Sequence, residues 1–471
     1  MKRPSLVSQG SLNRIFEAVN EAWKQFDFQT AIELMERASR LNPSNAGILL
    51  DLGRMHGVRY DYAAAERCFD QAVRVASKKI ETLVAAGQKS LDFGSFAMAE
   101  RYFKCALEEK NASPTNLVKL AEVYERLRRS EDAASLVDRA LQSDVTCATA
   151  LLLRARLDRQ EGRLEAAEKL LRTFPVSTDQ ILRANVAYEL GGIMDRQGRY
   201  DEAMTAFLAA KTLLLQSAAP HTAELKLVRQ RIQTMQTGLS LKRWFDAVPT
   251  LTPGRRLALL GGHPRSGTTL LEQVLDSHSD IVSLEETEVF YTDAYLPLIR
   301  NLPIDSPILS VLEASSKEAL LQSRKQYFDS AAKFLNQSVG DRLLIDKNPS
   351  LTFLIPVLIR IFPEIKLLIA LRDPRDVVLS CFMQPLKLGL GSAAYLTIES
   401  TVEEYIAMMN LWQSLKPMIT GHFLEVRYED MVEDLESVAR KTLDFLGVAW
   451  DDRVLRFNEH ARQKLVRSPT Y

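Results

Sequence analysis

Leu257-Ala258-Leu259-Leu260-Gly261-Gly262-His263-Pro264-Arg265-Ser266-Gly267-Thr268-Thr269 decides the fold of the C-terminal half. Leu257 to Leu260 read as a short apolar strand, and Leu270, Leu271, Val274 and Leu275 recur on one side of a helix. Strand, glycine-bearing loop and helix in this order build a phosphate cradle. Backbone N–H groups and the helix N-terminus then face an anion. Gly262 to Thr269 follows the Walker pattern G-x4-G-K-[ST], except that Thr268 stands at the lysine position. A nucleoside triphosphatase needs that lysine on its outer phosphates. The substitution therefore argues against ATP or GTP hydrolysis, and Arg265 supplies a positive charge inside the loop instead. Taken alone, such a loop is weak evidence.

A second element strengthens it. Lys366 to Leu371 form an apolar strand that runs into Arg372-Asp373-Pro374-Arg375-Asp376, and Val377, Val378 and Leu379 lead to Ser380 in a helix. An arginine at a strand end and a serine eight residues later suit a second phosphate, since the guanidinium fork matches phosphate oxygens. By itself this segment also reads as a surface ion-pair loop.

Together the two elements resemble the sulfotransferase family, over about Leu257 to Tyr471, nearest to its tyrosylprotein branch. The resemblance implies an α/β domain with a central parallel sheet. The donor it implies is 3′-phosphoadenosine 5′-phosphosulfate (PAPS), leaving adenosine 3′,5′-bisphosphate, with no metal. Arg265, Ser266, Gly267, Thr268 and Thr269 then correspond to the 5′-phosphosulfate loop, and Arg372 and Ser380 to the 3′-phosphate site. In Ser283-Leu284-Glu285-Glu286-Thr287 the first glutamate, Glu285, is the implied base, with Glu286 as its rival. A carboxylate beside the donor can take a proton from an attacking hydroxyl. Neighbours on an extended segment point to opposite faces, so one of the two is expected to face the donor. Lys347, in Leu343-Leu344-Ile345-Asp346-Lys347-Asn348-Pro349, corresponds to the lysine that touches the sulfuryl group, a role Arg265 shares. Tyr428, in Val426-Arg427-Tyr428-Glu429-Asp430 at a strand end opening a long helix, is expected near the adenine, and Ser468 in the late cofactor segment. His263 is a lesser candidate for a donor-site contact. Thr292 to Asn336 read as a helical insertion, and Pro385 to Leu396 as a loop able to gate the acceptor. Relatives continue well past the segment of Ser468, whereas this sequence stops at Tyr471, so the chain is expected to be a fragment or its site open on that side.

The N-terminal half carries a different signal. The string Ala-x3-large-x2-small begins at Ala31, Ala65, Ala99 and Ala133, 34 residues apart each time, recurs at Ala167 in a weaker copy with Phe174 in the third slot, and begins again at Ala203. Small residues Gly53, Gly87, Ala121, Ala155 and Gly191 stand twelve positions before a leading alanine, with Leu49, Leu83, Leu117, Leu151 and Ala187 four earlier. The pattern describes a helix pair per repeat, separated by turns such as Glu161-Gly162-Arg163 and Gln197-Gly198-Arg199. It resembles the tetratricopeptide repeat over residues 11–215, an α-solenoid whose concave face suits a protein partner. Residues 216–253, including a helix from Ala223 to about Leu239, read as a linker to a domain at 254–471.

Bulk properties limit the alternatives. Sixty basic and sixty acidic residues cancel, which leaves no general attraction to nucleic acid. No run of about 18 apolar residues occurs, so no membrane span is expected. Cys68, Cys105, Cys147 and Cys381 form no C-x-x-C pair and the histidines no metal constellation. A cytoplasmic setting fits this usage. The leading expectation is sulfuryl transfer to a protein tyrosine, a glycan or a small molecule, with the array recruiting acceptor or partner. A scaffold that binds nucleotide without turnover, and a P-loop kinase of a small alcohol, remain as alternatives.

Overall fold

The computed structural model describes residues 9–109, 113–175, 177–236, 244, 255–300, 307–385 and 387–459. Contacts divide the chain into two compact units, residues 1–206 and 207–471. The expected linker at Val248 to Gly254 and the candidate Ser468 lie outside the described residues.

The first unit is built from helix pairs. They are α1 (Gln9–Lys24) with α2 (Phe28–Leu41), α3 (Ala46–Val58) with α4 (Tyr62–Val75), α5 (Lys79–Asp92) with α6 (Phe96–Glu108), α7 (Pro114–Arg126) with α8 (Ser130–Ser143), and α9 (Ala148–Gln160) with α10 (Leu164–Arg172); α11 (Gln180–Arg196) follows, and α12 (Tyr200–Leu215) includes the residue at which the two units divide. Asp27, Asn45, Asp61 and Asp179 cap the helices they precede by accepting backbone N–H groups. Gly162 (φ 81°) and Gly198 (φ 74°) supply the left-handed residue of their turns. All six leading alanines are buried. The small residues do a specific job: a Cβ on Gly53 would lie 2.5 Å from the Phe69 ring, and one on Gly87 2.6 Å from the Phe103 ring. Each glycine thus makes room for the aromatic ring of its own repeat. Leu151 and Ala187 are only half-buried, and Leu152, Leu153 and Ala184 fill the core there.

The second unit holds a parallel sheet of β1 (Leu257–Gly262), β2 (Ile281–Glu285), β3 (Leu343–Lys347), β4 (Lys366–Leu371) and β5 (Phe423–Arg427), in the order β2-β3-β1-β4-β5. β1, β2 and β3 are buried along their whole length, as expected for strands covered on both faces. Helices α14 (Thr268–Asp276), α15 (Lys317–Leu335), α16 (Ile355–Ile361), α17 (Pro374–Phe382) and α18 (Ile398–Leu415) fill the connections, with α13 (Ala219–Gln236) preceding the sheet. The chain leaves β1 toward β2 on one side and leaves β4 toward β5 on the other. Adjacent strands whose connections diverge open a crevice at their carboxyl ends, where α/β sheets bind ligands.

Three local features differ from expectation. Tyr428 opens not one long helix but two, α19 (Tyr428–Glu433) and α20 (Leu435–Leu446), because Asp434 leaves the helical region and accepts the Ser437 N–H at 3.1 Å. The insertion after β2 begins with a π-helical turn, Phe290–Tyr295. Residues 219–236, expected in a linker, pack on the second unit through Leu225. Among the described residues no helix is long and apolar enough to cross a membrane.

Candidate active site

Every strand presents a candidate residue at its carboxyl end. Register sets Glu285 of β2 beside Lys347 of β3, and Lys347 beside Leu260 of β1. Gly262 pairs with Ala370 of β4, and Leu371 with Arg427 of β5. With neighbouring strands about 4.8 Å apart, Glu285, Lys347, the loop after Gly262, Arg372 and Tyr428 form one row along the sheet edge.

The loop is held by backbone constraints. Gly262 has φ 120°, and a Cβ there would run into the Ala370 carbonyl oxygen. Its N–H donates to Thr352 Oγ1 at 2.8 Å, and that hydroxyl donates to the Gly262 carbonyl at 3.0 Å. Thr352 carries no motif signal in the sequence and was not expected at the site. Arg265 (φ 72°) and Gly267 (φ 94°) both adopt left-handed backbone. Gly267 precedes α14, and Ser266 and Thr268 are buried. The anion-facing edge of this cradle is therefore backbone.

The structure brings the two expected phosphate sites together. Arg265 Nε donates to Ser380 Oγ at 2.9 Å, linking the loop to α17. Arg372 Nη1 lies 3.4 Å from the Arg265 carbonyl oxygen, and its guanidinium stacks 4.5 Å from the Tyr428 ring centroid. Arg372 also pairs with exposed Asp376 at 3.1 Å, while its Nε is buried with no hydrogen-bond partner. Glu429 accepts the Asp373 N–H at 2.9 Å and ties the β5 end to the β4 end.

Lys347 is fully buried. Its ammonium lies 2.8 Å from Glu286 Oε1 and 3.8 Å from Glu285 Oε1. The alternation expected of an extended segment does not separate the two glutamates, because Glu286 turns into left-handed backbone (φ 48°). Its N–H donates to the Lys347 carbonyl at 2.8 Å, so one residue pair shares two hydrogen bonds. The glutamates differ in access: the Glu285 side chain is 5% exposed and that of Glu286 35%. Behind Lys347, Asp346 accepts the Tyr327 hydroxyl at 2.9 Å, and burial pushes its carboxyl up to about 7.

His263 is buried behind the loop, and burial lowers its imidazole to about 4. It is therefore neutral at neutral pH. Nδ1 lies 2.9 Å from the Pro264 carbonyl, and Nε2 is buried without a hydrogen-bond partner. Among the described residues, no three His, Cys, Asp or Glu side chains cluster as metal ligands.

Comparison with known proteins finds similar sequences for both halves of the chain. The sequence profile of the sulfotransferase family matches residues 258–452, and that of the tetratricopeptide repeat matches residues 16–78 and 118–178. The sulfotransferase-family match runs from β1 to beyond β5 of the second unit. The protein-tyrosine sulfotransferase of Drosophila melanogaster is 30% identical to the chain over 214 residues, covering 43% of this chain and 40% of that one. Protein-tyrosine sulfotransferase A of Caenorhabditis elegans is 28% identical over 214 residues, covering 42% and 52%. An uncharacterized protein of Aquifex aeolicus (strain VF5) is 27% identical over 318 residues, 64% of this chain and 39% of that one. That alignment is longer than either unit, so it includes sequence from both. The chain spans about two fifths to half the length of these relatives. The solved sulfotransferase domain of the Synechococcus PCC 7002 olefin synthase is 24% identical, with a TM-score of 0.34, and covers 46% of this chain and 82% of that one. Within the matched region, Glu285, Lys347, the loop from Arg265 to Thr269, Arg372 and Tyr428 stand at the carboxyl ends of the strands, and Ser380 of α17 bonds Arg265.

Proposed function

We propose that the chain transfers a sulfuryl group from PAPS to a hydroxyl acceptor, with protein tyrosine the leading acceptor class. One observation carries the reading: at the β1–β4 crevice Arg265 bonds Ser380 and Arg372 reaches the Arg265 main-chain carbonyl, with Lys347 and its two glutamates on the adjoining strands. Arg372 and Ser380 hold the 3′-phosphate, the guanidinium fork matching phosphate oxygens. The loop from Arg265 to Thr269 holds the 5′ side, and the Tyr428 ring, already covered by Arg372, lies beside the adenine. The donor supplies an activated sulfuryl group whose bond to the phosphate oxygen breaks as the acceptor oxygen bonds to sulfur, releasing adenosine 3′,5′-bisphosphate.

Lys347 and Arg265 offset the charge that grows on the departing oxygen. Glu286 takes the acceptor proton. It is the more accessible carboxylate of the pair and touches Lys347, whereas Glu285, the residue the resemblance implies, is nearly enclosed. A base must come within about 3 Å of the proton it removes, which favours the exposed member. The relatives named protein-tyrosine sulfotransferases support the tyrosine acceptor. The repeat array recruits the acceptor or a partner, and the cytoplasm is the proposed setting.

Transfer of labelled sulfate from PAPS to a panel of tyrosine peptides, glycans and phenols tests the reaction. Sulfated tyrosine peptide is the expected product, and no labelled product on any acceptor refutes it. A chain starting at residue 207 should keep adenosine 3′,5′-bisphosphate binding and lose turnover on macromolecular acceptors. Full turnover on such an acceptor would reduce the array to a spacer.

A further inference from the structure

Helix α13 is built into the catalytic unit. Leu225 is buried with Val377 and Cys381 of α17 and with Ala393, Ala394 and Tyr395 of the turn that follows. One helical turn later, Arg229 reaches α18. Its Nε donates to Glu404 Oε2 at 2.8 Å, and its Nη2 donates to the Ser400 carbonyl at 3.3 Å. Nη1 reaches Glu403 at 3.3 Å, but that side chain is 68% exposed and contributes little. Glu404 is buried, so its carboxylate relies on Arg229 for compensation.

The next residue in the chain touches the donor loop. The Tyr405 ring lies 5.3 Å from the His263 ring, and the Tyr395 ring lies 6.1 Å away. Cys381 Sγ donates to the Pro264 carbonyl at 3.5 Å. Tyr395, Tyr405 and Cys381 thus form a wall behind His263, Pro264 and Arg265. Because His263 Nε2 has no hydrogen-bond partner, packing alone fixes that side of the ring. A shift of Tyr405 therefore meets little resistance before it reaches the loop.

We propose that Arg229 is a positioning residue for the donor site. Through Glu404 it fixes α18, hence Tyr405 and His263, and hence the place where Arg265 meets Ser380. This rests on the donor reading above. The order of contacts distinguishes it from general stabilisation, because the chain from Arg229 through Glu404 and Tyr405 ends at His263, in the loop that carries Arg265. The site therefore depends on a helix that precedes the sheet and that sequence assigns to a linker.

The test uses the full chain and titration calorimetry with adenosine 3′,5′-bisphosphate, alongside thermal unfolding. Arg229→Met should bind about tenfold more weakly, and Arg229→Lys should recover part of the loss. The donor KM should rise with kcat little changed. The double variant Arg229→Met/Glu404→Gln carries no uncompensated buried charge and should also bind weakly, because the tie between α13 and α18 is gone. If Arg229→Met fails to fold, the double variant decides. Affinities within about twofold of wild type in folded variants would overturn the proposal, whatever the melting temperature does. A wild-type chain that binds no adenosine 3′,5′-bisphosphate would instead refute the donor reading, and this proposal with it.

Discussion

Two glycines of the donor loop should fail in different ways when given a methyl group. Gly262 has φ 120°, and its added Cβ would strike the Ala370 carbonyl oxygen and lie 3.1 Å from the Ala370 nitrogen. Those atoms belong to β4 in the middle of the sheet, where yielding breaks the β1–β4 ladder. Backbone strain costs about 1–3 kcal/mol and overpacking about 1–3 kcal/mol more. A loss of about 4 kcal/mol is expected for Gly262→Ala, a large share of a typical total of about 5–15 kcal/mol. Gly267 has φ 94°, but its Cβ would meet the Tyr428 ring at 2.6 Å and the Met431 methyl at 3.3 Å. Both are side chains that can turn, so Gly267→Ala should lose about 1–2 kcal/mol, mostly backbone strain. Its main effect is functional. Turning Tyr428 removes the surface on which Arg372 stacks, and affinity for adenosine 3′,5′-bisphosphate should drop about tenfold, or 1.4 kcal/mol. Urea unfolding and titration calorimetry separate the two outcomes. If Gly262→Ala is as stable as Gly267→Ala, close approach of β4 does not constrain the loop. If Gly267→Ala binds like wild type, the Tyr428–Arg372 stack is not part of the donor site.

Glu286→Gln should lower turnover by about 10²–10⁴-fold with donor affinity preserved, and Glu285→Gln should do much less; steady-state rates at saturating donor decide, and the reverse ranking returns the base to Glu285. Arg372→Ala and Ser380→Ala should each weaken adenosine 3′,5′-bisphosphate binding by about 1.5–3 kcal/mol while turnover at saturating donor changes little; calorimetry showing unchanged affinity removes the 3′-phosphate assignment. Asp346 has its carboxyl raised to about 7 in the fold, so the unfolded chain ionises first and stability falls as pH rises from about 4 toward 7. Asp346→Asn keeps an acceptor for Tyr327 and should flatten that slope in unfolding measured from pH 5 to 8; an unaltered slope assigns it to other groups.

The helical array was legible because packing restricts its key positions to small residues. Ala31, Ala65, Ala99, Ala133 and Ala167 are all at zero exposure, so the 34-residue period appears directly in the composition. The copy at Ala167 is weaker because Phe174 takes the place of the small third residue; α10 stops at Arg172, and Phe174 beyond its end packs on the cluster of Ala167 and Leu171. Helix α13 was illegible as part of the catalytic unit for a physical reason. Its anchors act across long sequence separations, Arg229 on Glu404 over 175 residues, and exposed Leu227 (61%) blurs its apolar stripe. The break at Asp434 was hidden because an aspartate between two helical patterns reads equally well as an exposed position within one.

The site was legible wherever its chemistry sits at the end of an apolar strand, as at Arg265, Lys347 and Arg372. It was not legible where backbone conformation overrides side-chain alternation. Glu285 and Glu286 should point apart, but the left-handed turn at Glu286 lets both approach Lys347. That difference affects the proposed reaction. Lys347 and Arg372 already have carboxylate partners, Glu286 at 2.8 Å and Asp376 at 3.1 Å. A donor anion must compete with both. Asp376 is 56% exposed and readily gives way to solvent. The Glu286 side chain is 35% exposed whereas Lys347 is fully buried, so the carboxylate is the partner with room to swing away. Once the pair parts and Lys347 is left to the donor, Glu286 Oε1 has lost its nearest cation at the moment it must accept a proton. On the proposed function, the Lys347–Glu286 pair therefore couples donor binding to base catalysis, and the carboxylate is freed only when a sulfuryl group is in place.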